Sequence, residues 1–105
     1  MARLLRIRPQ VRDDLADLAS QIAVDSVTTA ERFIESTIDF FKDLPEWAMA
    51  YPVYEPQAER HPGLRSAHIP GFRRHLVFFV ATDRFVEVIR VLHGARDLPG
   101  AIEDT

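Results

Sequence analysis

The chain contains no cysteine, which excludes disulfides and thiolate metal sites and fits a reducing compartment. It has no run near the ~20 uninterrupted apolar residues of a membrane span. Its first ten residues, "MARLLRIRPQ", scatter basic side chains where a signal peptide would carry an apolar centre. The expectation is a cytoplasmic protein with no membrane segment. Lysine is nearly missing as well, since twelve of the thirteen basic residues are Arg and only Lys42 departs. Arg favours fixed, bidentate or stacked contacts over a loose cationic cloud, although GC-rich coding gives the same usage. His61, His68 and His75 lack metal-ligand spacing, so no metal and no cofactor is expected. Internal repeats and low-complexity segments are absent too.

What is present suffices for one core. With 105 residues, 47% of them hydrophobic, the chain reads as a single domain over residues 1–105. The net charge of -3 hides a segregation. Residues 1–12 carry four Arg and no acid, residues 13–59 carry eleven acids against Arg32 and Lys42, and residues 60–96 carry seven Arg against Asp83 and Glu87. All four His lie in that last segment, so a functional positive field is expected in the C-terminal half.

"RLLRIR" is short and compatible with a strand, and Pro9 behind it suits the first turn of a helix. In "QVRDDLADLASQIAVD" the apolar Val11, Leu15, Leu18 and Ile22 recur at helical spacing. Ser26 or Thr28 can cap a second helix, "TTAERFIESTIDFFKDL", which Pro45 is expected to stop. Two helices so closely linked fold back as a hairpin. "LRSAHI", "HLVFFVAT" and "FVEVIRVL" read as strands, the last two joined through "DR", and a short C-terminal helix follows in "DLPGAIED". The fold class is therefore α+β, in the order β-α-α-β-β-β, with a helical hairpin packed on a mainly antiparallel sheet. Between the hairpin and the strands, "PEWAMAYPVYEPQAERHPG" holds four prolines, the only Trp and both Tyr. Its aromatics either seal the open end of the core or form a rim for a partner.

"RVLHGARD", residues 90–97, places an imidazole, a glycine and two guanidinium groups at the end of an apolar strand. His93 beside Gly94 reads more readily as a hydrogen-bonding turn residue than as a catalyst. Arg90, set on one strand face with Val88 and Leu92, reads as half-buried and paired with an acid of the hairpin. Asp97 can cap the C-terminal helix or hold Arg96.

The segment "PGLRSAHIPGFRRHLVFFVATDRFVEVIRVLHGARDL", residues 62–98, resembles the C-terminal half of the RelE/ParE superfamily of type II toxin-antitoxin toxins. Its ending, "VIRVLHGARDL", is similar above all to the ParE branch. The resemblance implies the fold order already read, a cognate antitoxin that folds on the toxin in a hetero-oligomer, and one of two activities. ParE-like toxins inhibit DNA gyrase by binding; RelE-like toxins cut mRNA on the ribosome. A third alternative is a degenerate member that only binds an antitoxin.

RNA cleavage through the 2'-hydroxyl requires a base, a cation for the developing phosphorane and an acid. Arg73, His93 and Arg96 are the weak candidates for those roles. No lysine accompanies them, no tyrosine follows the last strand, and the chain is acidic where a ribosome-bound nuclease gains from basicity. The expectation is a gyrase-binding toxin without catalysis of its own. Arg65, Arg73, Arg74 and Arg96 are expected to meet the target, and Phe33, Phe40 and Trp47 to anchor the antitoxin in the crease between the second helix and the sheet.

Overall fold

The computed structural model describes residues 3–101. Strand β1 (Leu4–Ile7) leads into helices α1 (Pro9–Asp25) and α2 (Val27–Trp47), followed by β2 (Arg65–Ile69), β3 (Phe72–Ala81), β4 (Phe85–His93) and α3 (Gly94–Ala101). The four strands form one sheet in the order β1-β4-β3-β2. Only β1 runs parallel to its neighbour β4; the other two pairings are antiparallel. The element order, helical hairpin, sheet and terminal helix are those expected from the sequence. The end of "DLPGAIED" lies outside the described residues.

Helix α1 starts on Pro9, whose missing N–H costs nothing in a first turn. The single residue between the helices, Ser26, accepts the backbone N–H of Thr29 on its hydroxyl at 3.1 Å and so caps α2. Along α2, Ala30, Phe33, Thr37, Phe40, Phe41 and Leu44 are buried, a stripe wide enough to meet both α1 and the sheet. Thr37 can sit inside that stripe because its hydroxyl donates to the Phe33 carbonyl at 2.8 Å. Pro45 does not stop α2, which runs on to Trp47. The proline forfeits the bond an N–H at that position would make to the Phe41 carbonyl, and α2 ends two residues later.

The sheet is covered on both faces. One face carries Val77, Phe79, Val86, Val88 and Val91 against Val11, Leu18, Phe33 and Phe41 of the helices. The other carries Phe78, Ile89 and Leu92 against Leu64, with Tyr54, Leu76 and Val80 at its margin. This is why "LVFFV" is apolar at successive positions. Full burial of Phe33, Phe78 and Phe79 contributes about 1.5–3 kcal/mol each relative to exposure. The proline-rich segment wraps the β2 edge: Val53 bridges to Arg65, Tyr51 packs on Phe40 and Phe79, and Tyr54 packs on Phe78 across the sheet.

Two turns explain the hairpins. Gly71, between β2 and β3, has φ +83°, a conformation that glycine adopts without the steric cost of a side chain. The β3–β4 turn needs no glycine because the Thr82 hydroxyl accepts the backbone N–H groups of Arg84 and Phe85, each at 3.2 Å. In β4 a register shift pairs Phe78 with Arg90 but Phe79 with Val88, leaving Ile89 without a partner. That bulge interrupts the alternation, so Val88 and Leu92 face opposite sides and cannot both share a face with Arg90 as simple strand periodicity predicts.

Candidate functional site

The chemically distinctive part of the molecule is the end of the sheet where β4 passes into α3. His75 and His93 are register partners on β3 and β4, and their rings meet edge to face with centroids 5.3 Å apart. His75 also packs on Phe33 at 4.9 Å and Phe72 at 6.2 Å. Its Nδ1 is buried without a hydrogen-bond partner among the described residues. Burial, followed by the nearby His93 and Arg96, lowers the His75 pKa below the usual imidazole value; Asp97 acts the other way and Arg74 adds a smaller lowering. His75 is therefore held as a neutral ring.

His93 is occupied by helix capping. Its Nδ1 accepts the backbone N–H of Arg96 at 3.2 Å, while its own backbone N–H donates to Asp97 Oδ2 at 3.0 Å. This reciprocal pair is a variant of the capping box and starts α3 at Gly94, three residues earlier than "DLPGAIED" suggests. The Nδ1 lone pair is engaged by the Arg96 N–H and is not free to take a proton from a substrate.

The arginines divide into bound and free. Arg96 donates to Asp97 through Nε at 2.6 Å and Nη2 at 2.9 Å, and Nη2 reaches Asp17 of α1 at 3.4 Å. Those hydrogen bonds raise the Arg96 pKa and lower that of Asp97. Arg90 is held by Asp14 of α1 through two contacts of 2.9 Å each, which raises its pKa too. A polar cleft of about 350 Å³ separates these pairs, with Asp14, Asp17 and Asp97 along its walls. By contrast Arg73 and Arg74 are exposed. Neither side chain makes a hydrogen bond or ion pair among the described residues, and adjacency on a strand points them to opposite faces.

The expected target-binding residues thus do not form one cluster. Arg74 and Arg96 lie near the histidine pair, with Arg73 one residue beyond. Arg65 lies far along β2, opposite Phe79, and donates Nη1 to the Tyr51 carbonyl. Among the expected antitoxin anchors, Phe33 is wholly buried and Phe40 nearly so. Both are core residues and offer no surface to a partner, because the stripe read as an open crease is closed by the sheet. Trp47 is 56% exposed and does offer one. Sequence reading missed the role of His75, whose only signal was its place in an otherwise apolar run. Among the described residues no group of acids and histidines could hold a metal ion, and no helix is long and apolar enough to cross a membrane.

The family model for the ParE toxin of type II toxin-antitoxin system, parDE, matches residues 5–98. Among solved structures, a chain of the chromosomal ParDE TA system from P. aeruginosa is similar with a TM-score of 0.71. The match has 14% sequence identity and covers 88% of this chain and 96% of that chain, a likeness of fold. No curated protein matches the chain.

Proposed function

Because the chain belongs to the ParE toxin family of type II toxin-antitoxin systems, we propose that it inhibits DNA gyrase by binding and is neutralised by a cognate antitoxin. Such a target places its action in the cytoplasm. The observation that carries gyrase binding over RNA cleavage is the engagement of His93. Its Nδ1 is spent on the α3 cap, and the adjacent Arg96 is neutralised by Asp97 and Asp17. A nuclease needs a free base and an uncompensated cation at one place. At this end of the sheet Arg73 and Arg74 meet no carboxylate among the described residues, which suits electrostatic recognition of a partner surface.

The test is induced expression without antitoxin, with DNA breakage and mRNA integrity followed separately, together with supercoiling by purified gyrase. Stalled cleavage complexes and intact mRNA are the expected result. Rapid mRNA cleavage in a ribosome-containing extract, with supercoiling unaffected, would overturn the proposal in favour of a ribosome-dependent RNase. Neither effect, with the antitoxin still bound, would identify a member that has kept only the antitoxin contact.

A further inference from the structure

Strand β3 carries a wide bulge at its start. Ile69 of β2 pairs with Phe72, but the preceding His68 pairs with Leu76. Arg73, Arg74 and His75 are therefore accommodated opposite a single step of β2. On the other side the ladder to β4 begins at His75, which pairs with His93. Among the described residues Arg73 and Arg74 thus have no register partner on either neighbouring strand. Bulges bend a strand and re-aim its side chains.

The bend forms a hollow of about 310 Å³ lined by Gly71, Phe72, Arg73, Arg74 and His75. Among the described residues no carboxylate lines it, whereas the cleft at Arg90 and Arg96 is walled by Asp14, Asp17 and Asp97. Arg73 and Arg74 are exposed, and because adjacent strand residues point to opposite faces they flank the hollow. Helix α2 braces its frame. Ser36 Oγ donates to the Pro70 carbonyl at 2.7 Å, and Phe33 meets Phe72 edge to face at 5.2 Å and His75 at 4.9 Å. A braced backbone confines the ordering cost of binding to the two arginine side chains themselves.

Resting on the gyrase reading above, we propose that this bulge is the surface that meets the enzyme, with Arg73 and Arg74 each gripping a carboxylate of gyrase in a bidentate fork. A guanidinium matches a carboxylate through two parallel N–H donors, which a lysine cannot reproduce. DNA fits the hollow less well. Two cations neutralise too few phosphates to hold a duplex, and the net charge of -3 repels a polyanion at long range. A protein surface that presents a few acids asks for no more than these two guanidinium groups supply.

The experiment measures binding of purified gyrase, without DNA, to the wild-type toxin and to three double variants matched to it by thermal midpoint. Arg73→Glu with Arg74→Glu lowers the affinity by roughly tenfold or more. Arg73→Lys with Arg74→Lys keeps the charge but loses the fork, and lowers the affinity several-fold. Arg12→Glu with Lys42→Glu makes the same change of net charge at exposed positions elsewhere, and leaves the affinity within about twofold of wild type. An affinity kept by the lysine pair, or lost equally in the third variant, assigns binding to diffuse charge and overturns the proposal. Loss of antitoxin or duplex DNA binding in the first variant, with gyrase binding unchanged, assigns the bulge to those partners and overturns it too. Wild-type toxin that fails to bind gyrase overturns the gyrase reading itself, and the proposal with it.

Discussion

Asp14 and Arg90 close the part of β4 that β1 is too short to cover. The Asp14 carboxylate holds the guanidinium through two contacts of 2.9 Å. It also accepts the backbone N–H of Val91 at 3.0 Å, a donor that a longer β1 would have engaged. With the Asp14 side chain only 6% exposed, removing either partner strands a charge in a poorly solvated place. We expect Arg90→Ala to destabilise the fold by about 3 kcal/mol, the lower end for a buried pair. Asp14→Ala should cost at least as much, because Val91 N–H is orphaned too. Replacing both, as Asp14→Leu with Arg90→Met, should recover most of the loss except about 1–3 kcal/mol for that unpaired donor. Urea denaturation of the three variants measures it, and additive losses in the double variant would contradict the pairing.

His75 should make stability depend on pH near neutrality. Its folded-state pKa is lowered, chiefly by burial and then by His93, Arg96 and Arg74. The unfolded chain, with an imidazole near the ordinary ~6.5, binds more protons between the two values. Stability is therefore fully present above about pH 6.5 and erodes as pH falls toward the folded-state pKa. Asp97, whose pKa is lowered by its hydrogen bonds to Arg96, adds a separate loss that begins only in the carboxylate range. His75→Phe, which keeps an aromatic ring against Phe33 and Phe72, should abolish the loss between pH 7 and roughly pH 5. Denaturation midpoints across that window check this, and an unchanged slope in the variant would assign the dependence elsewhere.

Capping by His93 separates structure from catalysis. Asn is a strong N-cap residue and can accept the Arg96 N–H, whereas Ala cannot. We expect His93→Ala to cost about 1 kcal/mol and His93→Asn much less, with growth inhibition tracking the folded fraction in both. A toxin that loses all activity in His93→Asn while its thermal midpoint stays at the wild-type value would require a chemical role for the imidazole.

Periodicity carried the fold because each element has a strong local signature: the helical stripe from Val11 to Ile22, the Ser26 cap and the Pro70-Gly71 turn. The site was less legible for three physical reasons. The Ile89 bulge changes which face Arg90 and its neighbours occupy, and nothing in "VEVIRVL" marks where an extra residue will be accommodated. Phe33 and Phe40 read as an open aromatic face because periodicity identifies an apolar stripe without saying what covers it. The hold of Asp97 on Arg96 was readable from adjacency, but nothing in the sequence signals Asp17, which the fold delivers from a helix 79 residues away. The pairing of Arg90 with an acid of the hairpin was foreseeable, since a half-buried guanidinium needs a carboxylate and the acids are concentrated there.

Arg73 and Arg74 provide the sharpest contrast with Arg96. Their side chains are exposed and make no hydrogen bond or ion pair among the described residues, so Arg73→Ala and Arg74→Ala should leave stability within about 0.5 kcal/mol of wild type. Their charges meet no carboxylate among the described residues, so under the proposed function each substitution should weaken gyrase binding, and the deficit should shrink as salt is raised because exposed charges are screened over ~10 Å at about 0.1 M. Arg96→Ala should do the reverse. It breaks the contacts to Asp97 and Asp17 that tie α3 to α1, lowering the thermal midpoint, and its effect on binding should show little dependence on salt. Titrating purified gyrase with each variant at low and high salt, alongside thermal melts, resolves the two classes. If Arg96→Ala gave the larger salt-sensitive loss, the guanidinium locked in the cleft would have to be released on target binding, and the recognition surface would centre on α3 instead of the exposed pair on β3.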